Sequence, residues 1–323
     1  MNHVFVMDTT HRPLSMCHPA RARALLKAGK AAVFRSFPFT IILKEEKPEA
    51  VGKPLTAKTD PGSKTTGIVL VDPDERVLFA AELEHRGRAI KSSLESRRAL
   101  RRGRRNRRTR YRAPRFNNRR RHDGWLPPSL QHRVETTMTW MERFRRLCQL
   151  EGVRSQAKQP LSDAAAVNAT RNKLFDVLLD TGLPVEIGTG AQTKFNRVKL
   201  DYPKAYWINA ACVGDFGATV TLIPTMKPLQ IKAAGHGNRQ MCGTDKYVFP
   251  TRHRSRQKKH FGFETGDQVR ANVFFGRKAG IYKGWVLCRA SGSFDIKTVT
   301  GRVAGISHRY CTNIQRQDGY AYA

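Results

Sequence analysis

Any chemistry in this chain has to begin at Asp60. It stands in Thr59-Asp60-Pro61-Gly62-Ser63-Lys64-Thr65-Thr66-Gly67, where one β-run ends, a glycine turn follows and a second β-run opens. A carboxylate at such a strand end is placed to hold a divalent ion for phosphodiester hydrolysis, which uses two ions roughly 4 Å apart bridged by such a group. Taken alone, Asp-Pro-Gly is also ordinary turn chemistry. The six cysteines (Cys17, Cys148, Cys212, Cys242, Cys288, Cys311) form no CxxC pair. That spacing argues against a zinc knuckle and a disulfide framework and points to a reducing compartment.

The second group of residues is basic. Between Arg97 and Arg121 lie fourteen arginines and no acid: Arg97, Arg98, Arg101, Arg102, Arg104, Arg105, Arg107, Arg108, Arg110, Arg112, Arg115, Arg119, Arg120 and Arg121. The whole chain of 323 residues carries a formal charge of +33, which opposes compaction by self-repulsion and favours a polyanionic partner. A charge run is commonly a solvated tail. This one lies mid-chain between structured segments, which favours a nucleic-acid bridge. A hydrophobic content of 40% supplies real cores. No apolar run approaches the roughly 20 residues that span a bilayer, and Met1–Thr10 lacks the pattern of a signal peptide.

The elements that must position these residues are legible in outline. Val4–Met7, a basic helix over His18–Lys30 ending at Gly29, Ala32–Phe34 and Phe39–Leu43 make a small α/β unit. Leu55–Thr59, Gly67–Val71 and Val77–Glu82, separated by Gly, Pro and Asp, suit an antiparallel meander. Ala89–Tyr111 can be a helix with arginines on every face, followed by an extended basic arm over Ala113–Asp123. Ser129–Leu147 is amphipathic, with Val134, Met138, Met141 and Phe144 on one face; Asp163–Thr181 and Tyr206–Val213 are further helices and Leu183–Ile187 a strand. Lys227–Lys259 reads as a basic loop. Asp267–Phe275, Gly284–Arg289, Phe294–Thr298 and Gly301–Ile306 alternate with glycine turns as in a small SH3-like β-barrel.

Longer motifs carry a resemblance. Pro13-Leu14-Ser15-Met16, His18-Pro19-Ala20-Arg21-Ala22-Arg23 and Gly29-Lys30-Ala31 are similar to the N-terminal PLMP-type domain of the IscB family, transposon-encoded RNA-guided nucleases. The likeness runs on through Asp60–Gly67, the arginine bridge, Arg115-Phe116-Asn117-Asn118-Arg119, Asp163–Thr170, Thr193-Lys194-Phe195-Asn196-Arg197, Gly243–Tyr247 and Ser307–Tyr310, covering nearly the whole chain. It implies an α/β protein with a split RNase H-like (RuvC) core, in which Asp60 is the first metal-binding carboxylate. It also implies an HNH insertion, a C-terminal domain reading a short target-adjacent motif, a structured guide RNA, a double-stranded DNA target, and Mg²⁺ wherever cleavage persists. On this pattern the domains are 1–52 (PLMP type), 53–88 (RuvC segment I), 89–124 (bridge helix and arm), 125–222 (remaining RuvC helices and segment III) and 223–323 (C-terminal β-domain). Lys194 and Arg197 join the arginines as nucleic-acid contacts, and Lys246, Arg252, Arg254, Arg289 and Arg309 are the C-terminal basic candidates.

The chain departs from that pattern where catalysis is at stake. It passes from Leu147-Cys148-Gln149-Leu150 almost directly to Ala157-Lys158-Gln159-Pro160-Leu161, an interval in which the family carries a RuvC glutamate and the entire HNH domain. The HNH-less IsrB group keeps that glutamate. The third segment, His-Trp-Leu/Ile-Asp-Ala-Ala-Cys-Val-Gly in the family, is Tyr206-Trp207-Ile208-Asn209-Ala210-Ala211-Cys212-Val213-Gly214 here. Asparagine lacks the charge that hard Mg²⁺ demands, and a phenol titrating near about 10 cannot do a histidine's acid–base work. Glu151 lies near the deletion with no β-run around it. Asp215 falls on the wrong helical face, and Asp176, Asp180 and Glu186 read as surface or strand-edge charges. The expectation is a core lacking its second catalytic segment, in an RNA-guided DNA-binding protein with an inactive RuvC site, monomeric within a cytoplasmic, nucleoid-associated ribonucleoprotein. The alternatives are a residual Mg²⁺-dependent nickase using Asp60, and a plain RNA-binding protein.

Overall fold

The computed structural model describes residues 2–106, 122, 124–156, 164–236, 242–245, 250–253 and 256–323, and these divide into two units. Residues 2–34, 38–233 and 321–323 belong to the first, residues 35–37 and 234–320 to the second.

The chain opens with β1 (Val4–Met7), β2 (Pro13–Cys17), α1 (Pro19–Lys27), β3 (Ala31–Arg35) and β4 (Thr40–Leu43), in a sheet of order β2-β1-β4-β3. Asp8 closes the β1–β2 turn by accepting the Thr10 and Arg12 amides, each at 2.9 Å. Helix α1 starts at Pro19, whose missing N–H costs nothing at that position, and Gly29 follows its end at φ 69°.

Three strands then form the expected meander: β5 (Leu55–Pro61), β6 (Thr65–Val71) and β7 (Val77–Glu84). Gly62 makes the first turn possible, because a Cβ there would lie 2.3 Å from the Thr65 carbonyl oxygen. Helices α2 (Gly87–Asn106) and α3 (Pro128–Leu147) follow, then β8 (Leu150–Gln156), α4 (Ala164–Leu179), β9 (Val185–Gly188), α5 (Gly190–Lys199), α6 (Tyr206–Ala211) and β10 (Leu229–Ala233). β8 runs parallel to β5, and β9 parallel to β8. The sub-order β7-β6-β5-β8-β9, with three antiparallel strands followed by two parallel ones, is that of an RNase H-like sheet. β10 extends it in parallel beside β7.

This arrangement corrects one expectation. Glu151, expected to have no β-run around it, lies within β8, which pairs with β5. The polar content of β8 is offset by partners: Ser155 meets Thr59, while Arg154 meets Glu75 and Glu186 at 2.8 and 2.7 Å.

Helix α3 covers one face of the sheet. Phe144 stacks beside Phe5 and meets Phe79 edge-on at 5.5 Å, and all three rings are essentially buried. Rings buried to this degree contribute roughly 2–3 kcal/mol each. Helix α6 covers the other face, with Trp207, Ile208 and Ala211 packed on Val69 and Ala80.

The second unit contains β11 (Cys242–Thr244), β12 (Pro250–His253), β13 (Lys259–His260), β14 (Phe263–Glu264), β15 (Gln268–Val273), β16 (Gly280–Leu287), β17 (Ser293–Lys297), β18 (Arg302–Ser307) and β19 (Cys311–Gln315). Its main sheet is antiparallel, in order β18-β17-β16-β15-β19, over a core of Val269, Ala271, Val286, Phe294, Ile296 and Ile306. The final strand, β20 (Tyr320–Tyr322), lies at the β10 edge of the seven-stranded sheet. No helix among the described residues is long and apolar enough to cross a membrane.

Candidate nucleic-acid interface and the residues around Asp60

Asp60 pairs with Gly67 across the first hairpin. A Cβ at position 67 would lie 1.9 Å from the Tyr206 carbonyl oxygen, so only glycine lets the start of α6 rest on the strand. Glu82, the neighbour of Gly67 on β7, accepts the Trp207 N–H at 3.5 Å. From that anchor α6 carries Asn209 to Asp60, and its side-chain amide hydrogen-bonds the carboxylate. Tyr206 heads the helix and is 45% exposed. Positions 60, 206 and 209, far apart in sequence, thus do come together.

The strand register supplies the third position. Thr59 pairs with Ser155, so Gln156 is the β8 residue level with Asp60, and it is 1% exposed. An amide therefore occupies the place that an acid on this strand would take. Glu151 lies at the opposite end of β8, between the pairs Leu55↔Leu150 and Thr56↔Gly152, and is exposed. It cannot stand in. Asp215 bonds Gln192, and Glu186 bonds Arg154; neither reaches Asp60.

A residue that sequence reading passed over completes the site. Arg171 of α4 is buried, with its guanidinium 3.6 Å from Asp60 Oδ1 and its Nε donating to the Pro61 carbonyl at 2.9 Å. Burial pushes the Asp60 carboxyl above its ordinary range, and the Arg171 charge and the Asn209 amide oppose that push. Asp60 and Arg171 together sum to zero charge. A hard divalent ion needs several anionic oxygens, and this site offers one carboxylate, two amides and a fixed cation. Mg²⁺ does not fit these residues. Among the described residues no cluster of three His, Cys, Asp or Glu side chains could hold a metal.

Beside it runs a second buried network. Lys58, fully buried, donates to Glu75 Oε2 at 2.5 Å and to the Ala211 carbonyl at 3.2 Å, and Glu75 also takes Arg154. These charges brace the β5–β8 pair and the end of α6.

The arginine helix is rooted next to the same strands. Gly87 begins α2 against α3, where a Cβ would lie 2.9 Å from the Ser129 carbonyl oxygen. Just before it, His85 is held between Thr66 Oγ1 (2.7 Å from Nε2) and Thr136 Oγ1 (3.0 Å from Nδ1). Thr136 donates its own proton to the His132 carbonyl at 2.8 Å, so it accepts Nδ1–H and leaves Nε2 as acceptor for Thr66. Burial, with His132 and Arg133 nearby, lowers the His85 pKa to about 3; burial, Arg86 and Arg133 lower that of His132 to about 4.

Beyond its root α2 is bare. Arg97, Arg98, Arg101 and Arg102 are exposed, and none has an ion-pair partner among the described residues. The side chains of Arg104 and Arg105, and all of Arg107, Arg108, Arg110, Arg112, Arg115, Arg119, Arg120 and Arg121, lie outside the described residues, as do Lys246 and Arg254. Lys194 is exposed on α5, whereas Arg197 donates to the Tyr202 carbonyl at 3.1 Å and holds the end of that helix. Arg252 and Arg309 are exposed, and Arg289 pairs with Asp295.

Among solved structures, the chain is similar to Thermus thermophilus RuvC in complex with a Holliday junction substrate (14% identity, 52% of this chain and 92% of that one, TM-score 0.30). It is similar also to Thermus thermophilus RuvC in a second structure (15% identity, 51% and 91%, TM-score 0.29). A ROK-family transcriptional regulator, a homologue of the E. coli MLC protein, matches at 10% identity over 57% of this chain and 41% of its own, with a TM-score of 0.27. No curated protein matches the chain. Residues 4–170, just over half of the sequence, match the family described as RRXRR protein, which marks the N-terminal region of IscB-type proteins, and the chain belongs to that family.

Proposed function

We propose that this RRXRR-family protein binds nucleic acid as an RNA-guided DNA-binding protein and does not cut its target. One observation carries the second half of that reading: the Asp60 carboxylate is buried against Arg171 and capped by Asn209, with Gln156 level with it. Nothing in that set favours a residual nickase, because a two-metal site needs three or four anionic ligands. The first half is supported by the exposed arginines of α2 and the net charge of +33. In this reading the guide supplies sequence specificity by pairing while the protein holds backbones. Guanidinium groups of the bridge engage phosphates in bidentate fashion. The particle is a monomeric protein with one structured RNA, working in the cytoplasm at the nucleoid.

The test is to co-express the chain with the RNA encoded beside its gene, sequence the RNA that co-purifies, and present plasmid DNA matching its guide segment. Guide-dependent retention in a gel shift, with no nicking in Mg²⁺, is the expected result. Mg²⁺-dependent nicking abolished by Asp60→Ala would overturn the inactive-site half. Co-purified RNA without DNA retention would reduce the function to plain RNA binding.

A further inference from the structure

The main sheet of the second unit has an inner face that is a hydrophobic core and an outer face on which Ile281, Lys283, Trp285 and Leu287 are exposed. At the middle of the outer face stands Trp285, 45% exposed. The register sets Lys297 directly beside it on β17, and Arg302 beside Lys297 on β18. Along β16, Lys283 shares its face and pairs with Arg270 of β15. Gly284 keeps this spacing tight, since a Cβ there would lie 2.1 Å from the Lys297 carbonyl oxygen. A cavity of 580 Å³ opens here, between Trp285 with Leu287 and the β17–β18 turn at Thr298–Gly301.

Among the described residues, the one acid lining this cavity is already committed. Asp295 is 1% exposed; its Oδ2 accepts from Arg289 at 2.7 Å and from Arg302, and its Oδ1 accepts the Gly305 N–H at 3.1 Å. Both arginine side chains remain more than half exposed, at 51% and 59%. A buried carboxylate thus fixes two outward guanidinium groups, which would otherwise lose rotamer freedom on meeting a ligand.

An apolar, aromatic floor edged by Lys297 and by the fixed guanidinium of Arg302 matches a flat π-system joined to phosphates. The volume falls in the range of roughly 300–1,000 Å³ typical of ligand sites, enough for a nucleotide or two. Bases within a duplex are covered by their neighbours above and below, so only an unpaired base can lie on an indole. We propose that this outer face binds single-stranded nucleic acid, with one unpaired base stacked on Trp285, the adjoining phosphates taken by Lys297 and Arg302, and Asp295 acting as the positioning residue. The site belongs to the second unit and the arginine helix to the first, and any unpaired nucleotide satisfies it whether or not the protein is guided.

The test is photocrosslinking of the full chain to a short oligonucleotide carrying a single 5-iodouracil, supplied as single-stranded DNA, as single-stranded RNA, or annealed to its complement, with adducts mapped by mass spectrometry. A Trp285 adduct is expected in a single-stranded arm at roughly tenfold or more the yield of the duplex arm. Labelling by RNA alone identifies RNA as the source, and labelling by both makes the site indifferent to the sugar. Trp285→Phe should keep the adduct at position 285, Trp285→Leu should abolish it, and Lys297→Gln should lower its yield several-fold. Crosslinks confined to the arginine-rich segment, or equal labelling of Trp285 by the duplex, would overturn the proposal.

Discussion

Acid should loosen the root of the arginine helix, and His85 sets how much. The ring is 7% exposed and neutral, wedged between Thr66 and Thr136, with a folded-state pKa of about 3 against an ordinary 6.5. Because the folded value is the lower one, the unfolded chain binds the extra proton first as pH falls. Stability is therefore complete above about 6.5 and is lost progressively down to about 3. At about pH 4.5 the gap of some two pH units corresponds to roughly 2.7 kcal/mol, at about 1.36 kcal/mol per unit. The clean measurement compares wild type with His85→Gln, which keeps hydrogen-bonding capacity without a titrating ring. Urea unfolding at about pH 7 and 4.5, read by hydrogen exchange of peptides from β6, β7 and α3, cancels the carboxylates common to both proteins. Wild type should lose about 2–3 kcal/mol more than the variant over that interval. Parallel losses, within about 0.5 kcal/mol, would refute the assignment of a neutral, buried His85.

Three further outcomes follow from the geometry. Gly67→Ala places a methyl 1.9 Å from the Tyr206 carbonyl oxygen, so α6 must shift; a loss of roughly 2–4 kcal/mol is expected in thermal or denaturant unfolding. Asp60→Ala takes the carboxylate away from the buried Arg171 guanidinium and should cost about 3–5 kcal/mol, with Asp60→Asn costing less because it keeps an acceptor; unfolding curves of the two variants check the order. Changing Arg97, Arg98, Arg101 and Arg102 together to Gln should leave the melting temperature within a degree or two. It should flatten the slope of log affinity against log salt for nucleic acid by about 3 to 4, near 0.9 for each phosphate no longer neutralised.

How much of this was legible beforehand depended on where the information was stored. The β5–β6–β7 meander was readable because its strands carry β-branched runs broken by Asp-Pro-Gly and Asp-Pro-Asp turns, and its predicted limits differ from the observed ones by only a residue or two. Asp60 and its likeness partner Asn209 were readable as motifs, and the structure brings them into contact. Strand β8 was not. Leu-Glu-Gly-Val-Arg-Ser-Gln shows no hydrophobic alternation, since its arginine and serine are compensated by Glu75, Glu186 and Thr59 from elsewhere in the sheet. Arg171 was hidden differently. It sits in the stripe Val167, Arg171, Leu174, Leu178, at helical spacings of four, three and four, all buried. A cation on an apolar stripe is the signal that would have found it, and it asks for a carboxylate at the far end. Burial of His85 was beyond reach, because nothing local in Glu84-His85-Arg86 specifies that threonines from β6 and α3 will close around the ring.

The amides at 156 and 209 have a consequence for inheritance. Each is one first-position codon change from the corresponding acid, while the glycine that admits α6 and the register that sets β8 are intact. Acids at all three positions would crowd like charges into a dry space around one arginine, and such a site holds its shape only while a cation is bound. With amides the same space is self-sufficient, in line with the usual direction of exchange between activity and stability. An acid at either position is therefore mutationally close and energetically opposed, so selection for the stability of this scaffold alone favours the amides.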